Sequence, residues 1–420
     1  MISRFIDWFT TPKSSTTILK QNFINVQVDA IGVAMAGAAG QFLPIYLTRM
    51  NASAFQISLL STMPAVTGML LAIFLGRFLQ RKPNVVPYFS AARLAVILCY
   101  ALSGIASLVL PAESVVNTIL LIWAFATIPQ TVVNIAFSVV MNAVAGPQGR
   151  FELMTHRWSI LGATSAVVVM MIGQLLDRIA FPSNYQIMFL GLSIGGLISF
   201  YFSSHIKIPP NPPAVETHSH SVKELVQSYT GPVIREKPFM FFLTKRFVFL
   251  TGVALATPLY PLFYVRVINA SDSWISVINT SQTIILIFGY FIWSQQVRRH
   301  GAYRVLALTT LGLSIHPILV ALTNQPWQIA ILAGMAGIFQ GGLDLVFFDE
   351  LMRTVPVEYS ATFVAFAQSI QYFSSIVSPL IGSALASSIG IPVALIIAGI
   401  IRLAGFALFA FWKKSQLQPA

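Results

Sequence analysis

Apolar residues run along this chain in stretches of about 20, separated by short clusters of charge, proline or glycine. Runs at 21–47, 54–79, 86–109, 114–144, 155–178 and 185–204 predict six helices in the first half of the chain. Runs at 239–265, 272–297, 303–323, 327–353, 358–387 and 391–412 predict six more in the second. Residues 206–238 between them are polar and carry Pro209, Pro210, Pro212 and Pro213, so they read as a linker joining lobes at 1–205 and 239–420. A short surface helix is expected over 222–229. The linker's His218 and His220 are expected to be solvated loop residues rather than metal ligands. Ahead of the first run, Ile2, Phe5, Ile6 and Phe9 stand at helical spacing beside Trp8, the pattern of a helix lying on a membrane surface or of a frayed tail.

One stretch occurs twice. Pro44, Arg49, Asn51, Ala52 and Ser53 lead through Gln56, Ile57 and Ser58 to a basic turn at Gly76–Lys82. Pro261, Arg266, Asn269, Ala270 and Ser271 lead through Trp274, Ile275 and Ser276 to a basic turn at Arg298–Gly301. Arg49 pairs with Arg266 at an offset of 217, and one inserted residue later Asn51 pairs with Asn269 at 218. Parallel repeats of this length in an apolar chain are a transporter arrangement. Both Asn-Ala-Ser triplets match a glycosylation sequon, but their place in the repeat marks them as turn residues.

Composition sharpens the picture. The chain is 56% hydrophobic and 9% charged, against roughly 25% charged in soluble domains, so most of it must face lipid or the inside of a helical bundle. The net charge of +12 would suggest nucleic acid in a soluble domain. Here Arg49, Arg178 and Arg266 fall on one side of the expected spans, Arg93 and Arg402 inside them, and the remaining 20 of the 25 Lys and Arg on the other side. That asymmetry places both termini in the cytoplasm and needs no nucleic-acid partner. The single Cys99 lies in an apolar helix, which excludes internal disulfides.

Twelve helices, two parallel six-helix halves and a central loop resemble the major facilitator superfamily. The turn at Gly76–Lys82 is similar to that family's Gly-x-x-x-Asp-Arg-x-Gly-Arg loop: Gly76 and Arg81 match, Gln80 stands for the acid and Pro83 for the second glycine. The second turn matches at Arg299 and Gly301, with Arg298 in the acid's place. The resemblance implies an all-α membrane protein working as a monomer by rocking of its halves. It also implies that helices 1, 4, 7 and 10 line the pathway and that these two turns gate it. The missing acid removes the usual latch. The family's drug-antiporter signature, a Gly-Pro pair on helix 5, is absent from the run Gly162–Gly173. On helix 11, Ser378, Pro379 and Gly382 form a pattern that could bend.

Ionisable residues at mid-depth in a bilayer are costly and usually functional. Asp29 lies nine residues beyond Lys20, about 13 Å along its helix. It shares a polar, small face with Asn22, Asn25, Gly32, Ala36 and Gly40 that suits a pathway wall, with Gln41 beside it. Asp344 lies nine residues before Arg353 on the face of Gln340, and Asp349 and Glu350 follow at the interface. Proton carriage by Asp29 is the functional reading; ion pairs of Asp29 with Arg93 and of Asp344 with Arg402 are the structural one. Gln130 and Asn134 on helix 4, Asn279 and Gln282 on helix 8, and Gln368 and Tyr372 on helix 11 could hydrogen-bond a solute or glue helices. His316 is expected to be packed and neutral.

Phosphate-loop, zinc-helix and nucleophile-elbow patterns are absent, so no enzyme chemistry or cofactor is expected. The expectation is a cell-membrane secondary transporter moving a small neutral or amphipathic solute, proton-coupled and leaning to export. Solute uptake, lipid translocation, or a receptor or scaffold role are the alternatives. No cluster of Lys or Arg is expected in its cavity.

Overall fold

A computed structural model describes residues 17–209, 235–354 and 360–411. The N-terminal surface helix, His218, His220, and the short helix expected over 222–229 lie outside the described residues. The helices are α1 (Thr17–Arg49), α2 (Ala54–Gln80), α3 (Val86–Val109), α4 (Ala112–Arg178), α5 (Ser183–Leu192) and α6 (Ile194–Ser204). The second half holds α7 (Lys237–Ala256), α8 (Leu259–Leu262), a π-helical turn at Phe263–Val267, α9 (Asp272–His300), α10 (Ala302–Ala321), α11 (Pro326–Thr354), α12 (Ser360–Ile389) and α13 (Ile391–Phe411). Among the described residues there is no strand. Twelve helical segments among those residues are long and apolar enough to cross a membrane.

Where a turn was expected between helices 4 and 5, helical structure is continuous through Ala112–Arg178. Its 67 residues would measure about 100 Å if straight, some three bilayer cores. Side-chain pairing shows that the direction reverses instead. Phe137 and Trp123 meet Phe89 and Ser103 of α3 in antiparallel order. Arg157 and Ser165 meet Asp29 and Gln41 of α1 in parallel order. The two arms are therefore the separate spans 112–145 and 153–178, with the helical bonding carried through the bend. The expected sixth helix divides at Ser193 into α5 and α6.

The chain forms two compact units, residues 1–52 with 66–215, and 53–65 with 216–420. In the first, Phe23, Val26, Phe89, Val140, Met141 and Leu153 form a buried cluster. In the second, Phe239, Phe249, Leu313, Leu343, Phe363 and Phe409 do the same. Close helix approach depends on glycine. A Cβ on Gly32 would fall 2.5 Å from the carbonyl oxygen of Gly195, and one on Gly195 2.6 Å from that of Gly32. A Cβ on Gly341 of α11 would meet the backbone of Tyr290 on α9 at 2.9 Å.

The repeat is conformational as well as textual. Asn51 (φ 62°) and Asn269 (φ 54°) are the described non-glycine residues with positive φ, a conformation Asn tolerates better than most residues. Each is followed by a buried alanine and a serine cap. Ser53 accepts from the Gln56 N–H and Ser271 from that of Trp274. The paired triplets are turn devices, as the repeat predicts.

Candidate functional site

In the first unit the polar face of α1 is built into packing. Asp29 is fully buried. Its Oδ1 pairs with Arg93 of α3 and accepts from Ser199 of α6 at 2.6 Å. Its Oδ2 meets Arg157 of α4 at 3.2 Å. The guanidinium of Arg93 lies 4.1 Å from the Phe89 ring, and that of Arg157 4.9 Å from Phe137, so aromatic faces share the excess positive charge. Asn22 exchanges two hydrogen bonds with the backbone of Lys207 (2.7 and 2.9 Å), and Asn25 donates to His205 (3.1 Å). Gly32 and Ala36 face α6, Gly40 faces Tyr100, and Gln41 donates to Ser165 at 3.3 Å. Of this face, Asn22 and Asp29 are buried in packing, while Asn25, Gly40 and Gln41 are half-exposed. Residues of small volume and polar character were needed for close helix contact, which calls for the same residue types as a cavity lining.

Of the two ion pairs weighed from sequence, Arg93 does reach Asp29 and Arg402 does not reach Asp344. Helix α13 packs on α7 and α10, which turns Arg402 to the carbonyl of Leu313 at 3.1 Å and to Tyr260. Tyr260 in turn hydrogen-bonds Nδ1 of His316 at 3.1 Å, so His316 is packed. Asp344 instead accepts from Gln340 (2.7 Å) and from the Tyr290 hydroxyl (3.1 Å). Both donors are neutral.

Exposure separates two faces on three of these helices. On α4, Leu121, Phe125, Ile128 and Val139 form an exposed apolar stripe; on α9, Trp274, Phe288, Phe291 and Ile292 do so. On α11 the stripe is Trp327, Ile331, Met335 and Leu345. The accessible polar residues lie elsewhere: Gln130 with Asn134, joined at 3.1 Å, on α4, Asn279, Gln282 and Tyr290 on α9, and Gln340 with Asp344 on α11. At 3.6 residues per turn the centre of each polar group stands about 150° or more around its helix from the centre of the stripe. A stripe suited to acyl chains and an opposite arc open to water are what a helix beside an aqueous passage requires. Gln368 is exposed and Tyr372 half-buried on α12.

Three cations counted above on the cytoplasmic side fall within candidate spans. Arg157 falls in the span 153–178, and Lys245 and Arg246 in the span 237–267. Lys245 and Arg246 sit within the apolar run 239–265, whereas Arg157 stands near the start of 155–178. Lys245 lies 4.0 Å from the centre of the Phe241 ring. Arg246 donates to Oε1 of Gln371 on α12 at 3.0 Å. At the basic turns, Arg81, Arg298 and Arg299 are exposed, and Gly301 has a φ of 84°. Asp29 forms ion pairs with both Arg93 and Arg157.

The model of the Major Facilitator Superfamily matches residues 242–419. The chain is 28% identical over 180 residues to a multidrug resistance protein MdtG of Serratia proteamaculans, a match spanning 41% of this chain and 43% of that one. It is 25% identical over 186 residues to the MdtG of Yersinia enterocolitica, spanning 42% and 44%. The matched part is thus less than half the length of these relatives. In fold, the chain is similar over 93% of its length to all of a nucleoside transporter NupG, with a TM-score of 0.72 and 12% identity. It is similar over 95% of its length to 99% of a bacterial homologue of the iron transporter ferroportin, with a TM-score of 0.71 and 11% identity. Residues 242–419 thus resemble the major facilitator superfamily, and the fold of this multi-pass membrane protein is similar along nearly its whole length to transporters of solved structure.

Proposed function

We propose that the chain is a secondary active transporter of the cell membrane, with both termini cytoplasmic, that exports a small amphipathic organic solute in exchange for protons by alternating access. It works as a monomer, and Asp344 carries the proton. The observation behind this is the contrast between the two intramembrane carboxyl groups. Asp29 is enclosed and balanced by two guanidinium groups. Asp344 is accessible, on the polar arc of α11, and among the described residues is held by a hydroxyl and an amide alone. A carboxylate without a counter-charge in an apolar bundle is costly. A proton is the smallest counter-charge that can arrive and leave. The name of the MdtG relatives supports export, and the Gln130–Asn134 and Asn279–Gln282 pairs offer hydrogen bonds to cargo.

The test is dye movement in reconstituted vesicles under an imposed pH gradient, using a panel of amphipathic fluorescent dyes. The wild type moves dye in response to the gradient. Asp344→Asn falls to the rate of empty vesicles under the gradient. Full gradient-driven flux in that variant removes Asp344 from the mechanism; no dye movement by the wild type overturns export itself, and lipid movement alone would mark a translocase.

A further inference from the structure

The basic turn between α9 and α10 has no part in the proton mechanism above. Gly301 alone separates the two helices, so two exposed apolar surfaces meet there. On α9 the stripe of Phe288, Phe291 and Ile292 leads to Arg299, eleven residues past Phe288 and only about 20° from it around the helix. On α10 the exposed Leu308 and Leu319 lead to Arg304, four residues before Leu308 and about 40° from it. Both arginines are exposed, and among the described residues neither side chain has an ion pair or a hydrogen bond. The first basic turn is built differently. Arg81 ends the exposed stripe of Phe74 and Phe78 on α2, but Lys82 is held between the rings of Phe78 and Tyr88, 4.7 and 5.5 Å from their centres. On α3, Pro87 rather than a base stands eleven residues before the exposed Leu98.

A guanidinium at the polar end of a lipid-facing stripe can take a phosphate in fork geometry while acyl chains cover the apolar residues beneath it. Two such arginines on neighbouring stripes, with no carboxylate between them, favour a headgroup of net negative charge. We infer that the α9–α10 turn is a binding site for an anionic phospholipid of the bilayer. Arg299 and Arg304 hold the phosphate, and the acyl chains lie along the stripes of Phe291 and Leu308. Those stripes give a lipid contacts that a free phosphate lacks. The inference goes beyond the transport reading and does not rest on it.

The experiment is native mass spectrometry of the purified full chain in detergent, titrated with dioleoylphosphatidylglycerol or dioleoylphosphatidylcholine. The two lipids share their chains and phosphate and differ in net charge. The wild type takes its first phosphatidylglycerol about tenfold more tightly than its first phosphatidylcholine. Arg299→Gln combined with Arg304→Gln removes that preference, Arg299→Lys with Arg304→Lys keeps most of it, and Arg81→Gln leaves it unchanged. Glycerol 1-phosphate, the headgroup end without chains, does not displace the lipid at equal concentration. Phosphatidylglycerol carrying a diazirine on its acyl chain labels the wild type within residues 288–308. Equal affinity for the two lipids, a preference that survives the glutamine pair, the same loss in Arg81→Gln, displacement by glycerol 1-phosphate, or labelling confined to other segments would overturn the assignment. The labelling uses wild-type protein, so it decides even if the variants fold poorly. No gradient and no dye are involved, so this result and dye export stand or fall separately.

Discussion

At the scale of single residues, the same intramembrane carboxyl chemistry has two outcomes set by neighbours. Asp29 gathers Arg93, Arg157 and Ser199 from three other helices. Removing its charge leaves two buried guanidinium groups without an anion, which typically costs about 3–5 kcal/mol. Asp29→Asn should therefore lower the unfolding temperature of the purified protein sharply, and Arg157→Met on top of it should recover part of the loss. An unchanged unfolding temperature in Asp29→Asn would show that the triad does not hold the unit together. Sequence alone made Asp29 and Arg93 legible, because both stand deep within apolar runs. Ser199 and Arg157 were not: Ser199 reaches Asp29 across 170 residues and Arg157 across 128, and only packing brings them together. Lys245 and Arg246 are visible in the run 239–265 but resemble the basic residues that flank helix ends, and only the folded chain sets Lys245 against Phe241 and Arg246 against Gln371.

At the scale of elements, the repeat explains a local irregularity. The second copy holds one residue more between its arginine and its asparagine, and the π-helical turn Phe263–Val267 lies just there. In the first copy the Ala52 N–H reaches back to Leu47; in the second the Ala270 N–H reaches Tyr264, one residue further. An insertion inside a helix is absorbed most cheaply by widening one turn, which keeps the flanking faces in register. The offset change was readable from sequence, its conformational answer was not. The α9–α11 contact depends on glycine in the same local way. Gly341→Val would drive a side chain into the Tyr290 backbone, an overpacking of about 1–3 kcal/mol, and would shift the hydroxyl that holds Asp344. Lower unfolding temperature together with weakened proton coupling is the expected result. Gly76→Ala, whose Cβ would meet nothing within 4 Å, should leave the unfolding temperature near wild type. Equal tolerance at both positions would show that α9 and α11 do not need this close contact.

For the whole molecule, helix number and the paired halves followed from hydropathy and repeats, because the bilayer imposes length and satisfied backbone on every span. What sequence could not separate is polar residues that pack from polar residues that meet water. On α1 Asn22 and Asp29 are buried in packing; on α4, α9 and α11 Asn134, Gln282 and Asp344 are exposed, on other faces than the apolar stripes. That difference makes a prediction testable in the membrane. The protein has one cysteine, Cys99, half-buried with its thiol donating to the Ala95 carbonyl, so a Cys99→Ala background allows single cysteines to be placed at will. In native vesicles a charged, membrane-impermeant thiol reagent should label cysteines at Asn134, Gln282 and Gln340, because an aqueous passage ionises the thiol and admits the reagent. Cysteines at Phe125, Phe288 and Met335 should stay unlabelled until detergent replaces the lipid. At Asn22, on the packed face, labelling should require unfolding. Labelling of the apolar stripes with protection of the polar arcs would mean that these arcs face no water, and with them would go the argument that Asp344 is reached by protons from solution.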